Sequence, residues 1–364
     1  MKGADFSNPP RTQEGQGWLD PVQQHILSYT HHIFIHIYPM FRTEIQVAPT
    51  GLQLSLQDKV LTVGSCFAEV IGDRLQQNKV DALVNPFGAI FNPLSVCLLL
   101  QAAAGQPYGF EQHLVEQNGI WYAYDLHSSL SSPAKDDLLQ QIEERLQRTR
   151  HYLQQASLLI VTFGTAVAYK LHAGGKVVAN CHKLPARNFE RVLLQTGEMR
   201  QAFGQTLALL QQLNPALNVL LTVSPVRHIK ETLPLNAVSK ATLRVLCHEL
   251  AEASTHVQYF PAFEVMMDDL RDYRFYKEDM IHPTEVAESY IWQKFVGACY
   301  DKRFHQFVDA WQKIRRAVAH RPFNPQSEAH QAFLRNTLQQ LTQLGAQYNI
   351  ETAAEEKALR DQLL

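Results

Sequence analysis

The sequence predicts an α/β fold in which helices cover both faces of a mainly parallel β-sheet. Short apolar runs typical of buried strands alternate five times with segments whose apolar residues recur at helical spacing. Gly, Pro, Asn or Ser stands at the ends of these runs, as expected where a strand turns into a loop. Parallel strands joined by helical crossovers share one carboxyl edge, so ligand-binding residues are expected in the loops at that edge.

Composition and charge favour a soluble protein that does not bind nucleic acid. The 364 residues are 46% apolar and carry a formal net charge of −2, which leaves no basic excess for a phosphate backbone. No apolar run is long enough to span a bilayer. The five cysteines are scattered and odd in number, which favours a reducing, cytoplasmic location over a disulfide framework.

Three regions of the chain differ in character. Residues 1–39 are interpreted as a poorly structured leader without the features of a secretory signal, in preference to a metal cluster at His31, His32 and His36. Residues 40–300 carry the strand and helix pattern. Residues 301–364 predict a helical extension that either caps the main domain or mediates self-association.

The strands can be assigned in chain order. A weak alternation at residues 41–47 indicates an edge strand. The buried strands of the main sheet are predicted at residues 59–63, 80–84, 158–163, 217–223 and 257–260. Asn118-Gly119 and Gly174-Gly175 predict hairpin insertions at residues 109–127 and 168–179.

Amphipathic helices are predicted between these strands. Apolar residues at helical spacing follow the first strand from Phe67 to Leu75. Asn92 and Pro93 are favourable cap and first-turn residues for the next helix. Further helices are predicted from Ser132 onwards, at residues 189–213 and 237–251, and after Pro283.

Ser65 lies where the first strand turns through Gly64 directly into a helix. This turn places the serine at the carboxyl edge of the sheet, beside helix N–H groups that have no internal partner. These groups would stabilise an oxyanion formed by attack of Ser65 on an acyl carbon. The alternative is that Ser65 only caps the helix, because serine is a favoured cap residue.

Asp279 and His282 form an Asp-x-x-His motif ahead of the last helix of the main region. An aspartate at this spacing can accept a hydrogen bond from Nδ1–H of the histidine, which leaves Nε2 free to take a proton from a serine hydroxyl. The motif alone is weak and is more often a solvated loop. Its combination with the Gly64-Ser65 turn is more specific.

Other polar residues in the strand-end loops are candidates for substrate contact. His228 follows the fourth strand, and a structural role is about as plausible for it as substrate binding or oxyanion stabilisation. His182 and Lys183 lie in a loop where solvation is the favoured interpretation. Cys66 is interpreted first as a packing residue and second as a nucleophile. No metal-ligand spacing is present, so we predict no metal site.

The chain resembles the GSCFA family, within the wider SGNH (GDSL-like) hydrolase superfamily, from about Phe41 to Tyr300. The motifs that carry the resemblance include Gly64-Ser-Cys-Phe-Ala68, Asn85-Pro-Phe-Gly88, Asn92-Pro93, Thr162-Phe-Gly-Thr165, Asn180-Cys-His-Lys183, Ser224-Pro-Val-Arg-His228 and the distal Asp279-x-x-His282. This resemblance implies a flavodoxin-like, three-layer α/β/α fold with a five-stranded sheet. It also implies a serine acyl-hydrolase triad of Ser65, His282 and Asp279.

The resemblance implies oxyanion donors as well, with one departure from the superfamily pattern. Gly88 matches the second donor. The third block usually reads Gly-x-Asn-Asp, whereas Gly164 is followed here by Thr165, Ala166 and Val167. Thr165 or Asn180 is expected to replace the missing asparagine, whose loss would otherwise cost on the order of a hundredfold in rate.

Three hypotheses about function follow. The first is a serine esterase that needs no cofactor and hydrolyses or transfers an acyl group, with a carbohydrate ester as the suggested substrate because of the aromatic hairpin at Trp121, Tyr122 and Tyr124. The second is a catalytically degenerate module of the same fold that binds a glycan or small molecule. The third is a scaffold that self-associates through the glutamine-rich C-terminal helices. The oligomeric state is left open.

Overall fold

The computed structural model describes residues 42–364, and residues 44–364 form one compact unit. The leader predicted at residues 1–39 lies outside the described residues. The strands are β1 Val60–Gly64, β2 Ala82–Val84, β3 Leu114–Gln117, β4 Ile120–Ala123, β5 Ser131–Ser132, β6 Leu158–Phe163, β7 Val167–Leu171, β8 Val177–Val178, β9 Phe189–Leu193, β10 Asn218–Val223 and β11 Val257–Tyr259. The longer helices are α1 Cys66–Gln77, α2 Pro93–Ala104, α3 Lys135–Leu153, α4 Thr196–Leu213, α5 Leu233–Ala253, α6 Glu285–Cys299, α7 Lys302–Val318, α8 Glu328–Tyr348 and α9 Ala353–Arg360.

The central sheet has five strands in the order β11-β10-β6-β1-β2, and every pair is parallel. Numbered along the chain, this is the 2-1-3-4-5 order of flavodoxin. The five predicted sheet strands are therefore confirmed, each within a few residues of its predicted bounds. The prediction of a three-layer α/β/α fold is confirmed with them.

Alternate residues of the central strands face two separate hydrophobic cores. Leu159 and Val161 of β6 point to one core, which they share with α2, α3, α4 and α5. Leu158 and Ile160 point to the other, which they share with α1, α6 and the C-terminal helices. Both faces of the strands are buried, which is why these strands read as continuous apolar runs.

Two small antiparallel sheets are inserted between the parallel strands. Asn118 and Gly119 have positive φ angles of 55° and 77°, the backbone that a two-residue hairpin between β3 and β4 requires. The second sheet has the order β8-β7-β9. Both predicted hairpins are confirmed.

Two predicted elements are wrong in part. The helix predicted at residues 189–213 begins only at Thr196, because Phe189–Leu193 pairs with β7 as a strand. That pairing decides a segment whose local pattern is ambiguous. The edge strand predicted at residues 41–47 is absent from residues 42–47, which form irregular chain without a strand partner, and Phe41 lies outside the described residues.

The C-terminal helices pack on the second core. Phe307 and Trp311 of α7, Leu341 of α8 and Leu359 of α9 are buried there. This arrangement agrees with the helical cap, one of the two roles considered for the extension. Among residues 42–364, none of the helices combines the length and the apolar character needed to cross a membrane.

Candidate active site

Ser65 occupies a tight turn between β1 and α1. Gly64 has a φ angle of +138°, and a Cβ atom at this position would overlap the carbonyl of Thr162 on the neighbouring strand. Only glycine therefore fits. Ser65 is the cap of α1, and its Oγ accepts a hydrogen bond from the Phe67 N–H at 3.3 Å. Its side chain is fully buried.

Asn85, at the end of β2, holds this turn in place. Its Oδ1 accepts a hydrogen bond from the Gly64 N–H at 2.9 Å. Its Nδ2 donates to the Glu69 carboxylate at 3.2 Å and to the Ser65 carbonyl at 3.4 Å. The Ile90 N–H also donates to the Gly64 carbonyl at 2.8 Å. The loop after β2 thus closes over the carboxyl end of β1.

His282 and Asp279 form the pair that the Asp-x-x-His motif predicts. His282 Nδ1 lies 2.6 Å from Asp279 Oδ2, and Asp279 Oδ1 accepts the N–H groups of Ile281 and His282 at 2.9 and 3.0 Å. The backbone N–H and imidazole of His282, with the N–H of Ile281, hold the pKa of Asp279 well below its usual value. An ionised Asp279 fixes the imidazole with Nε2 pointing away from it.

Arg227 fixes the loop that carries His282 at the same edge of the sheet as Ser65. Arg227 follows β10, and its N–H donates to the Ile281 carbonyl at 3.3 Å. Its guanidinium lies 3.9 Å from the Tyr276 ring centre and donates to the Met280 carbonyl at 3.4 Å. Parallel strands end at one edge, so the loops after β1 and β10 both open there.

Ser65 and His282 are not hydrogen-bonded to each other. Among residues 42–364, the Ser65 hydroxyl has no acceptor for its proton, and His282 Nε2 has no partner. Catalytic hydrogen bonds of this kind often form only once substrate is bound. The pairing of hydroxyl and imidazole stays a prediction.

Gly88 and the loop around it form the rim next to Ser65. The Gly88 N–H, the expected second oxyanion donor, donates to the Asn85 carbonyl at 2.8 Å. A substrate oxygen would have to share this donor. Gly88 has a φ angle of +72°, and a Cβ atom here would overlap His127, so the loop after β4 lies directly against it.

Thr165 and Asn180, the expected replacements for the missing asparagine, are engaged elsewhere. The Thr165 hydroxyl is hydrogen-bonded to Ser239 Oγ at 2.9 Å and accepts the Val167 N–H at 2.9 Å. The Asn180 amide donates to Ser128 Oγ at 3.1 Å and accepts the His182 N–H at 2.8 Å. Both side chains are thus bound to groups other than Ser65, and the Asn180 amide keeps one N–H without a partner among the described residues.

Comparison with protein families finds two matches in the chain. Residues 59–295 match the GSCFA family, and this stretch is more than half of the chain. The chain belongs to the GSCFA family. Residues 311–364 match the C-terminal domain of GSCFA domain proteins. Comparison with curated proteins gave no match.

His182 is a structural residue of this GSCFA protein. It is 4% exposed, its Nε2 lies 2.8 Å from the Ala123 carbonyl, and its ring stacks on Tyr122 at 4.8 Å. Burial lowers the pKa of His182, so its neutral ring donates to Ala123 and accepts from Ser128 at 3.2 Å. Tyr122 of the aromatic hairpin therefore packs against His182.

His228 is the candidate whose ring nitrogen is available. Its Nε2 is buried and has no hydrogen-bond partner among the described residues. Gly164 makes room for it, because a Cβ atom there would lie 3.3 Å from His228 Nε2 and 3.0 Å from the Phe91 ring. Burial first, and then the charges of Lys240 and His282, lower the pKa of His228 to about 3. The ring is therefore neutral at ordinary pH.

Lys240 is a residue of this edge that none of the sequence motifs includes. It lies on α5, is 1% exposed, and its Nζ donates to the carbonyls of Gly164 and Ser224, both at 2.7 Å. These carbonyls directly follow β6 and β10, so Lys240 ties two adjacent strand ends together. The signal in the sequence is its spacing: Lys240 shares the buried stripe of α5 with Leu243 and Cys247.

The structure favours neither a cysteine nucleophile at Cys66 nor a metal site among the described residues. Burial raises the pKa of the Cys66 thiol, and the Glu69 carboxylate adds to this effect. The thiol is therefore protonated, which supports packing as its role. Among the described residues, no group of three or more His, Cys, Asp or Glu side chains is placed to hold a metal ion.

Proposed function

We propose that this GSCFA protein is a serine acyl hydrolase of the SGNH type that cleaves ester bonds with Ser65, His282 and Asp279. The observation that carries the proposal is the Asp279–His282 hydrogen bond of 2.6 Å. It lies in a loop held at the sheet edge where the Gly64-Ser65 turn opens. Serine is a weak nucleophile unless a base of this kind is adjacent.

The proposed reaction has two halves. Ser65 Oγ bonds to the ester carbonyl carbon while His282 Nε2 takes the hydroxyl proton. His282 then returns this proton to the alcohol oxygen as the carbon–oxygen bond breaks, which leaves an acyl-enzyme and a free alcohol. Water, deprotonated by the same nitrogen, attacks the acyl-enzyme and releases the acid and Ser65. Asp279 stabilises the imidazolium in both halves.

We assign oxyanion stabilisation to the start of α1 and to His228. The Phe67 N–H lies at the positive end of the helix dipole. It donates a hydrogen bond to Ser65 Oγ, and we expect it to donate to the oxyanion instead once Ser65 Oγ is bonded to the substrate carbon. The neutral His228, as its Nε2–H tautomer, supplies a donor in place of the missing asparagine. Lys240 positions His228 indirectly, because it donates to the carbonyls of Gly164 and Ser224 at the ends of β6 and β10.

The test is labelling with a fluorophosphonate, followed by hydrolysis of short-chain aryl esters. We expect stoichiometric labelling of the wild-type protein at Ser65, no labelling of Ser65→Ala, and strongly slowed labelling of His282→Ala. Ser224→Ala is the matched control, since Ser224 is also a buried serine directly after a sheet strand. Labelling that persists in Ser65→Ala would contradict the proposal.

A second candidate is a binding module of the same fold. Ser65 is fully buried, the Gly88 N–H donates to Asn85, and the Thr165 and Asn180 side chains are hydrogen-bonded to Ser239 and Ser128. These observations favour a site that holds a glycan or small molecule without cleaving it. An inert Ser65 together with saturable glycan binding that is weakened by His228→Ala would support the module over the enzyme.

A further inference from the structure

A pocket lies on the side of the molecule where α1, α6 and α7 meet. It has a volume of about 460 Å³, within the usual range of small-molecule sites. Arginine and amide side chains dominate its lining. The residues that matter for its chemistry are Arg74, Ser289, Gln293, Gln312, Arg315 and Arg316. We call this site the arginine pocket.

The arginine pocket is separate from the candidate active site. Arg74 lies nine residues after Ser65 on α1, which places it about 13 Å further along the helix axis. Residues of both family matches line the pocket. Arg74 and Gln293 belong to the stretch 59–295, and Arg315 and Arg316 belong to the stretch 311–364. A ligand bound here would contact both.

Positive charge in the pocket is not balanced locally. Among the described residues that line it, three are arginines and none is an aspartate or glutamate. Glu288 approaches from the side at 3.8 Å from Arg74, but it also lies 3.9 Å from Lys277. Arg315 donates to the neutral Gln77 side chain at 3.1 Å, and Arg316 has no ion-pair partner among the described residues. The pocket therefore keeps an excess of cationic charge.

Two guanidinium groups in the pocket repel each other. Burial lowers the pKa of Arg74, the carboxylates of Glu288 and Glu285 oppose this effect, and the charge of Arg315 lowers it further. Basic residues near the C-terminus of α7 are favourable for the helix dipole, which accounts for Arg315 and Arg316 by themselves. Arg74 stands in the last turn of α1 in the same way and donates to Ser289 Oγ at 3.1 Å. The helix dipoles therefore account for each arginine singly, but not for three guanidinium groups at one pocket. An anion between the guanidinium groups would relieve this repulsion.

We propose that the arginine pocket binds a soluble small molecule that carries a phosphate or diphosphate group. A phosphate monoester has about two negative charges and three acceptor oxygens at neutral pH, whereas a carboxylate has one charge. One guanidinium group can donate two parallel hydrogen bonds to the oxygens of a phosphate. Gln293 and Gln312 line the pocket with amide groups that can donate to phosphate oxygens. Ser289 Oγ accepts from Arg74 at 3.1 Å and keeps its own O–H as a donor. The site is concave, which suits a soluble molecule better than a membrane surface.

The test is isothermal titration of the full-length protein with inorganic pyrophosphate, with acetate as the singly charged comparison. We expect saturable binding of pyrophosphate, weaker binding of acetate, and roughly tenfold or more loss of pyrophosphate affinity in Arg315→Gln and in Arg316→Gln. Arg148→Gln is the matched control, because Arg148 is an exposed arginine on the distant helix α3. Pyrophosphate should also raise the melting temperature of the wild-type protein.

Three outcomes would overturn the proposal. One is the absence of saturable pyrophosphate binding. Another is an equal loss of affinity in Arg148→Gln, which would indicate general charge attraction. The third is binding to anionic phospholipid vesicles without binding of soluble pyrophosphate. Arg315 and Arg316 are exposed, so equal melting temperatures of the ligand-free variants and the wild-type protein establish that a lost affinity is not a lost fold.

Discussion

Asn85 accepts the Gly64 N–H at 2.9 Å, and this hydrogen bond joins the loop after β2 to the turn that carries Ser65. Both residues are buried, and the same asparagine amide donates to the Ser65 carbonyl and to Glu69. A buried donor without its acceptor is costly. The position of the serine therefore depends on a side chain twenty residues further along the chain.

Replacing Asn85 with Ala should destabilise the protein and impair catalysis. The Gly64 N–H would lose its acceptor, at a cost of about 1–3 kcal/mol in the free energy of unfolding. Because the Ser65 turn would also shift, we expect kcat for aryl esters to fall more than KM changes. Urea unfolding and steady-state kinetics measure the two effects.

Asn214→Ala is the matched control for this prediction. Asn214 is a buried asparagine whose amide donates to the carbonyls of Leu153 and Ala156 at 2.8 and 2.9 Å, at the opposite edge of the sheet. It should cost similar stability and leave kcat unchanged. An equal loss of kcat in both variants would mean that Asn85 acts only through stability.

Replacing Asp279 with Asn should remove most of the activity while the fold is kept. The amide cannot stabilise an imidazolium and favours the wrong tautomer of His282, and in a serine protease triad the same change lowers kcat by about 10⁴. Hydrolysis of aryl esters measures the loss. Asp272→Asn is the control, since Asp272 is a nearby aspartate paired with Arg274 at 3.1 Å. Activity that survives Asp279→Asn would contradict the triad.

His228 should make the protein less stable in acid. Its folded pKa of about 3 lies below the ordinary value of 6.5, so between these values the unfolded chain binds the proton and the folded protein does not. The free energy of unfolding must then fall as the pH is lowered from about 6.5 towards 3. In His228→Asn this part of the decline should be missing.

Melting temperatures of wild-type and variant protein across this pH range measure the difference. The groups that resist protonation of His228 are its apolar surroundings, Lys240 and His282. His248→Asn, on the exposed side of α5, serves as the control. Parallel curves for wild type and His228→Asn would show that His228 is not held neutral by the fold.

Replacing Lys240 with Met should raise the pKa of His228 and lower kcat. The variant removes a nearby positive charge and leaves the Gly164 and Ser224 carbonyls without their 2.7 Å donor. Protonation of His228 becomes easier when that charge is gone. NMR titration of the His228 ring measures the pKa, and aryl ester kinetics measure kcat. An unchanged pKa would show that Lys240 only supports the strand ends.

The fold class and the two motifs of the candidate site can be predicted from the amino-acid sequence alone. The strands of the central sheet are buried on both faces, so apolar runs such as 158–163 are visible without any structural knowledge. Gly64-Ser65 and Asp279-x-x-His282 are local patterns, and the hydrogen bond that Asp279 accepts from His282 spans only three residues. Local geometry is what spacing in a sequence can predict.

The side chains that support the Ser65 edge of the sheet cannot be predicted from local sequence, because they come together only in the folded protein. Asn85 and Lys240 act through contacts with Gly64 and Gly164 across 21 and 76 residues, and no local pattern encodes such pairs. The strand at Phe189–Leu193 likewise forms because it meets β7. Thr165 and Asn180 were expected at the oxyanion, yet their hydrogen bonds are made to Ser239 and Ser128. Within residues 42–364, His228 Nε2 has no hydrogen-bond partner. Hydrogen-bond partners of buried polar groups depend on packing between distant segments, and packing is fixed only when the chain has folded.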